Sequence, residues 1–182
     1  MEPLKRINRE LVKKCHVFDL YQDTIELPDG TKQYYDFVKH KGAAAVIPVM
    51  ENGKILMVKQ YRNALDRFTL ELPAGGRNGE EEPTIVCAAR ELEEETGYRS
   101  NHLELLLSLK TTVAFCNELI DVYVARDLEK TQQHLDEGEF VDVCEYDIQE
   151  LVQMVYDCKI QDSKTASAIL AYYVKYVLRK EA

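Results

Sequence analysis

CAARELEEETGYRS, Cys87 to Ser100, places Glu91, Glu93, Glu94 and Glu95 almost in a row. Upstream, Pro83 suits the first turn of a helix, where a missing N–H is harmless, and downstream Gly97 suits a left-handed C-terminal cap. The spacing therefore predicts a helix over 83–96. On it, Ile85, Ala89, Leu92 and Thr96 recur at i+3/i+4 spacing and are expected to pack on a sheet. Glu91, Glu94 and Glu95 converge on the neighbouring stripe, and Glu93 points elsewhere. Like charges at this spacing cost an isolated helix about 0.2–0.5 kcal/mol per pair. A hard divalent cation held by oxygen ligands offsets that repulsion, and Arg90 is placed to order the cluster from one side. A bare acidic run is most often a solvated helix face, so the flanking residues decide.

Reading outward from the helix gives Gly76, five residues, Glu82, seven residues, then Arg90-Glu91-Leu92-Glu93-Glu94-Glu95-Thr96-Gly97-Tyr98. This resembles, without a gap, the signature of the Nudix hydrolases, a loop–helix–loop that binds magnesium and cleaves a nucleoside diphosphate linked to another group. At ~5–10% usage per residue type, a chance match at seven positions is on the order of one in 10⁸. Tyr98 departs from the usual aliphatic residue at a packing position. VKQYRNALDRFTLELPAGG before the box and DSKTASAILAYYVKYVL after it are similar to the ADP-ribose pyrophosphatase branch. That branch carries Ser-Pro-Gly after the box, where this chain has Thr112-Val113-Ala114.

The resemblance implies an α/β (α+β) fold: a Nudix-type α/β/α sandwich with a mixed central sheet. It also implies an N-terminal antiparallel sheet over 1–40 that builds a domain-swapped homodimer, with the hydrolase domain over 41–182. It implies magnesium, with manganese as the alternative, held by Glu91 and Glu95, by Glu94, and by the Gly75 carbonyl. Arg90 would hold the glutamates in place. The base that activates water would come from the loop QHLDEGEFVDV, Gln133 to Val143, with Glu137 as the expected base and Glu139 as a metal-linked alternative. The reaction implied is hydrolysis of ADP-ribose to AMP and ribose 5-phosphate. Hydrolysis of a GDP- or UDP-hexose and a non-catalytic nucleotide-sensing module are the alternatives. All the box glutamates are present, which argues against a sensor.

Other candidates come from residue chemistry. Arg62 offers paired N–H donors to a phosphate or a ribose, and Glu71 is placed to line the same pocket. Tyr35, with Tyr21, Tyr34 and Phe37 nearby, offers a face for an adenine. His16, His40, His102 and His134 lack zinc spacing, and Ser163 and Ser167 have no triad context.

The 182 residues suit one domain, with 46% hydrophobic and 30% charged residues in an ordinary globular mixture. A net charge of −9 argues against a nucleic-acid partner, which wants a basic face. Cys15, Cys87, Cys116, Cys144 and Cys158 are scattered singly, the pattern of free thiols in a reducing cytosol. No apolar run approaches the ~20 residues that cross a bilayer, so no membrane partner and a cytoplasmic location are expected. Two strands are read over 16–40 around Pro28-Asp29-Gly30, and a second hairpin around Glu51-Asn52-Gly53 in the core sheet. HLELLLSLKT, LIDVYVARDL and EFVDVCEYD read as further strands. Asp147, and either Asp162 or Ser163, begin two more helices, to about Cys158 and about Arg179.

Overall fold

A computed structural model describes residues 3–180. Strands β1 (Lys5–Lys14), β2 (Asp19–Glu26) and β3 (Lys32–Lys39) form an antiparallel sheet in that order. Strands β4 (Ala43–Pro48), β5 (Ile55–Arg62), β6 (Arg67–Glu71) and β7 (Ala74–Gly76) then lead into helix α1 (Thr84–Thr96). Strands β8 (Tyr98–Arg99), β9 (His102–Lys110), β10 (Leu119–Arg126), β11 (Glu129–Lys130) and β12 (Val141–Tyr146) follow. Helices α2 (Ile148–Tyr156) and α3 (Ser163–Tyr172) come last, and the chain stays helical to Lys180 through a π turn and a 3-10 turn.

The central sheet runs β7-β4-β10-β9. It is mixed, because β4 lies parallel to β10 and antiparallel to β7. Every residue of β4 is buried, as expected of a strand covered on both faces. Ala44 and Val46 face Cys87, Ala88 and Leu92 of α1. Ala45 and Ile47 join Met57, Val122, Leu151 and Ile169 on the other side. The alanines on the first face let the helix backbone approach the sheet closely.

Three expectations change and one alternative is resolved. A first strand, Lys5–Lys14, extends the N-terminal hairpin to three strands; its charged sequence hides the apolar alternation that marks a strand. The turn at Glu51-Asn52-Gly53 forms, but its strands part after the single bridge Val49–Ile55. Thus β4 enters the central sheet and β5 enters a second sheet, β12-β5-β6. On α1 the buried residues are Cys87, Ala88, Glu91, Leu92, Glu95 and Thr96, while Ile85 is 44% exposed. The helix is rolled so that two of its glutamates share the inward side. Asp162, and not Ser163, caps α3, its carboxylate accepting from the Thr165 N–H at 3.0 Å.

Candidate active site

Gly75 lies on β7, opposite Ala44, and α1 crosses beneath it. A Cβ built on Gly75 would overlap the Glu91 carboxylate, so this glycine is what lets Glu91 lie against the strand. Glu91 and Glu95 are 8% and 4% exposed. Glu95 accepts from the Ala74 N–H at 2.9 Å. Burial raises the Glu91 carboxyl to about 7 against the pull of Arg90. Burial likewise raises Glu95 to about 8, with the Ala74 N–H opposing and the charges of Glu91 and Glu139 adding to it. Two carboxylates buried side by side and short of compensating charge form a cation-seeking pair.

Arg90 donates to Glu91 at 2.6 Å, to Glu94 at 2.7 Å and to the Gly76 carbonyl at 2.9 Å. It thus orders the cluster from one side. Among the described residues, no three His, Cys, Asp or Glu side chains stand close enough to hold an ion in this arrangement, in which Arg90 occupies an oxygen of Glu91 and another of Glu94. The donors nonetheless suit a hard divalent cation: all are oxygens, two are buried, and the Gly75 cradle fits one of them. The Gly75 carbonyl accepts from the Cys87 thiol at 3.5 Å.

A cavity of about 420 Å³ runs from Gly75 and Gly76 to Arg62 and Lys164, with Glu118 and His40 on its wall. Arg62 holds Glu71 through two bonds of 2.7 and 2.6 Å. Glu71 also accepts from Lys164 at 2.6 Å and from Thr69 at 2.7 Å. Burial alone would raise the Glu71 carboxyl, but Arg62 and Lys164 prevail and hold it at about 2. The two sequence candidates thus form one pair: Glu71, 2% exposed, orients Arg62, and Arg62 lines the cavity. Tyr35 lies elsewhere. It lines a separate cavity of about 290 Å³ with Val113, Ala114 and Phe115, and its hydroxyl donates to Gln33 at 2.9 Å.

Lys164, only 8% exposed, escaped the sequence reading. A signal for it existed, because a cation in the first turn of a helix opposes the helix dipole and needs a carboxylate partner. Here it has two, Glu71 and Asp162. On the far side, Glu137 and Glu139 are exposed in the loop between β11 and β12. Glu139 is near enough for its charge to act on both Glu91 and Glu95.

The sequence matches the NUDIX domain over residues 39–166. The ADP-ribose pyrophosphatase of Bacillus subtilis (strain 168) is 39% identical over 180 residues, 98% of this chain and 94% of that protein. The methanol dehydrogenase activator of Bacillus methanolicus is 41% identical over 167 residues, 91% of this chain and 90% of that protein. A crystal structure of an ADP compounds hydrolase superposes with a TM-score of 0.84, covering 100% of this chain and 97% of that one. At 19% identity it speaks for the fold. The matched span takes in β7, the glycine cradle, α1 and the loop beyond β11, so the elements that gather the carboxylates are those the comparison covers, and the chain belongs to the NUDIX family as a Nudix hydrolase.

Proposed function

We propose that this protein is a magnesium-dependent ADP-ribose pyrophosphatase that releases AMP and ribose 5-phosphate. What carries the reading is a cavity that runs from Ala74 and Gly75, against which the Glu95 and Glu91 carboxylates lie, to Arg62 and Lys164, which Glu71 holds together. A diphosphate has oxyanions to offer both ends. The relationship to the B. subtilis enzyme along nearly the whole chain supports this substrate. The equally close methanol dehydrogenase activator makes a direct assay necessary.

Glu91, Glu95, Glu94 and the Gly75 carbonyl would hold the cation, which neutralises phosphate charge and polarises the phosphorus toward attack. Arg90 keeps the carboxylates in register. Arg62, with its fork fixed by Glu71, takes a phosphate or ribose oxygen. Glu137 accepts the proton of the attacking water while a phosphorus–oxygen bond of the diphosphate breaks, and Glu139 stands on the metal side. Tyr35 faces the adenine through the dimer, the N-terminal sheet over 1–40 reaching a second copy and the hydrolase domain occupying 41–182.

The test is incubation with magnesium and a panel of ADP-ribose, GDP-hexose and UDP-hexose. Release of AMP and ribose 5-phosphate from ADP-ribose is expected. Preferred turnover of a hexose compound overturns the substrate, and no turnover of any compound favours a nucleotide-sensing module.

A further inference from the structure

Between β11 and β12 the chain runs back along the end of the metal helix. The pairings Glu129–Arg99 and Lys130–Tyr98 continue beyond the strands, with the Thr131 N–H donating to the Gly97 carbonyl at 2.7 Å and the His134 N–H to the Glu94 carbonyl at 2.9 Å. The last carbonyls of a helix have no partner within it. In α1, Glu93 is satisfied by the Gly97 N–H at 2.9 Å, Glu94 by His134, and Glu95 by the Gln133 side-chain amide at 2.6 Å. The same Gln133 amide reaches the Val141 carbonyl at 3.4 Å, where β12 begins. Gly97, in the left-handed region at φ 69°, makes this passage possible, because a Cβ there would stand 2.9 Å from the Gln133 nitrogen.

We propose that Gln133 is a positioning residue for hydrolysis: its amide bridges Glu95 to Val141, closing the base of the loop that carries Glu137 and Glu139 against the helix that carries the metal carboxylates. The proposal rests on the loop's part in the proposed reaction. Electrostatics gives the bridge its task. Glu139 is near enough for its charge to act on Glu91 and Glu95, and like charges drive the loop and the helix apart. Backbone bonds fix one stem to the helix and the pairing of β12 with β5 fixes the other. Among the described residues, Gln133 carries the hydrogen bonds that span the two. A neutral donor suits the place, since a carboxylate there would meet two carbonyls and add to the repulsion. Beyond the bridge the tip is a small turn: Glu139 N–H donates to the Asp136 carbonyl at 3.0 Å, Asp136 N–H to the Glu139 carboxylate at 3.2 Å, and Gly138 takes φ 88°.

The test compares Gln133→Leu, Gln133→Glu and Gln133→Lys with Glu137→Gln and Glu139→Gln, using ADP-ribose and magnesium, with amide hydrogen exchange followed over residues 134–141. Gln133→Leu and Gln133→Glu are expected to lower kcat about 10²-fold, as misplacement of a reacting group by ~1 Å does. KM and magnesium dependence should stay within about twofold, and exchange in the loop should quicken. Gln133→Lys keeps a donor and retains most of the rate. Wild-type kcat in Gln133→Leu beside an inactive loop-glutamate variant overturns the proposal, as does a loss of rate with unchanged loop exchange. If both glutamate variants keep their kcat, the loop's part in the reaction is what fails. The bridge is then judged on exchange alone, standing if Gln133→Leu quickens it and falling if it does not.

Discussion

Gly75 shows how a missing atom makes a site. Gly75→Ala would set a methyl group where the Glu91 carboxylate lies, and moving that carboxylate, a cation ligand in the proposed function, by ~1 Å should lower kcat/KM by about 10²-fold. The fold should survive, since β7 is a short edge strand; circular dichroism and a magnesium titration of the variant check both halves of the expectation. The neighbouring carboxyls make a second prediction. Glu91 and Glu95 rise from 4.5 to about 7 and about 8 on folding. An acid whose folded pKa is raised favours folding while protonated, so its contribution is full below about 4.5 and is lost as pH climbs through the folded values. Glu71 has the opposite sign: held at about 2, its contribution is full above about 4.5 and is lost as pH falls toward about 2. Without metal, Tm should fall between about pH 5 and pH 8, and the fall should be shallower in Glu95→Gln. A flat or rising wild-type curve in that range would defeat the account. The spacing of the glutamates is legible in the sequence because carboxylates at i, i+3 and i+4 on a helix are costly without a cation. Gln133 is not legible, because its role depends on a loop folding back onto a helix end, and no local period marks that.

At the scale of elements, α1 marks the limit of reading periodicity. The rule that charged residues turn outward selects Ile85, Ala89, Leu92 and Thr96 as the packed face, yet Ile85 is exposed and Glu91 and Glu95 are buried. A helix that builds a site breaks the amphipathic pattern at the site, which is where such rules are expected to fail. The caps are legible for a different reason: Gly97 and Asp162 act through their own backbone and side-chain chemistry, with little help from distant residues. Between elements, α3 is fastened to the link between β6 and β7. Thr165 is fully buried and its hydroxyl accepts from the Leu72 N–H at 3.0 Å. Thr165→Val keeps the shape and leaves that N–H unpaired, which costs about 1–3 kcal/mol. Urea denaturation should show the midpoint falling with an unchanged slope, and a midpoint equal to wild type would show that the bond contributes nothing.

Across the molecule, the N-terminal sheet is joined to the rest mainly near Val38, whose N–H donates to Phe115 at 2.7 Å, and near His40, whose N–H donates to Asn117 at 2.8 Å. Leu11, Val12 and Tyr34 on that sheet are 48%, 58% and 68% exposed, which favours a second copy as cover. Light scattering at micromolar concentration is expected to give the mass of a dimer, and a fully active monomer would sink this. The central sheet has a consequence in time. Its parallel pair brings Ala43 beside Ile120, so a long stretch of chain must close before the pairing repays the lost entropy, and topology of this kind slows folding. On the proposed reading, the carboxylate pair would gather a cation only once α1 is seated on β4, after that barrier is crossed. Magnesium should therefore slow unfolding in stopped-flow denaturant jumps and leave the refolding rate unchanged, since interactions absent from the transition state act on the unfolding limb alone.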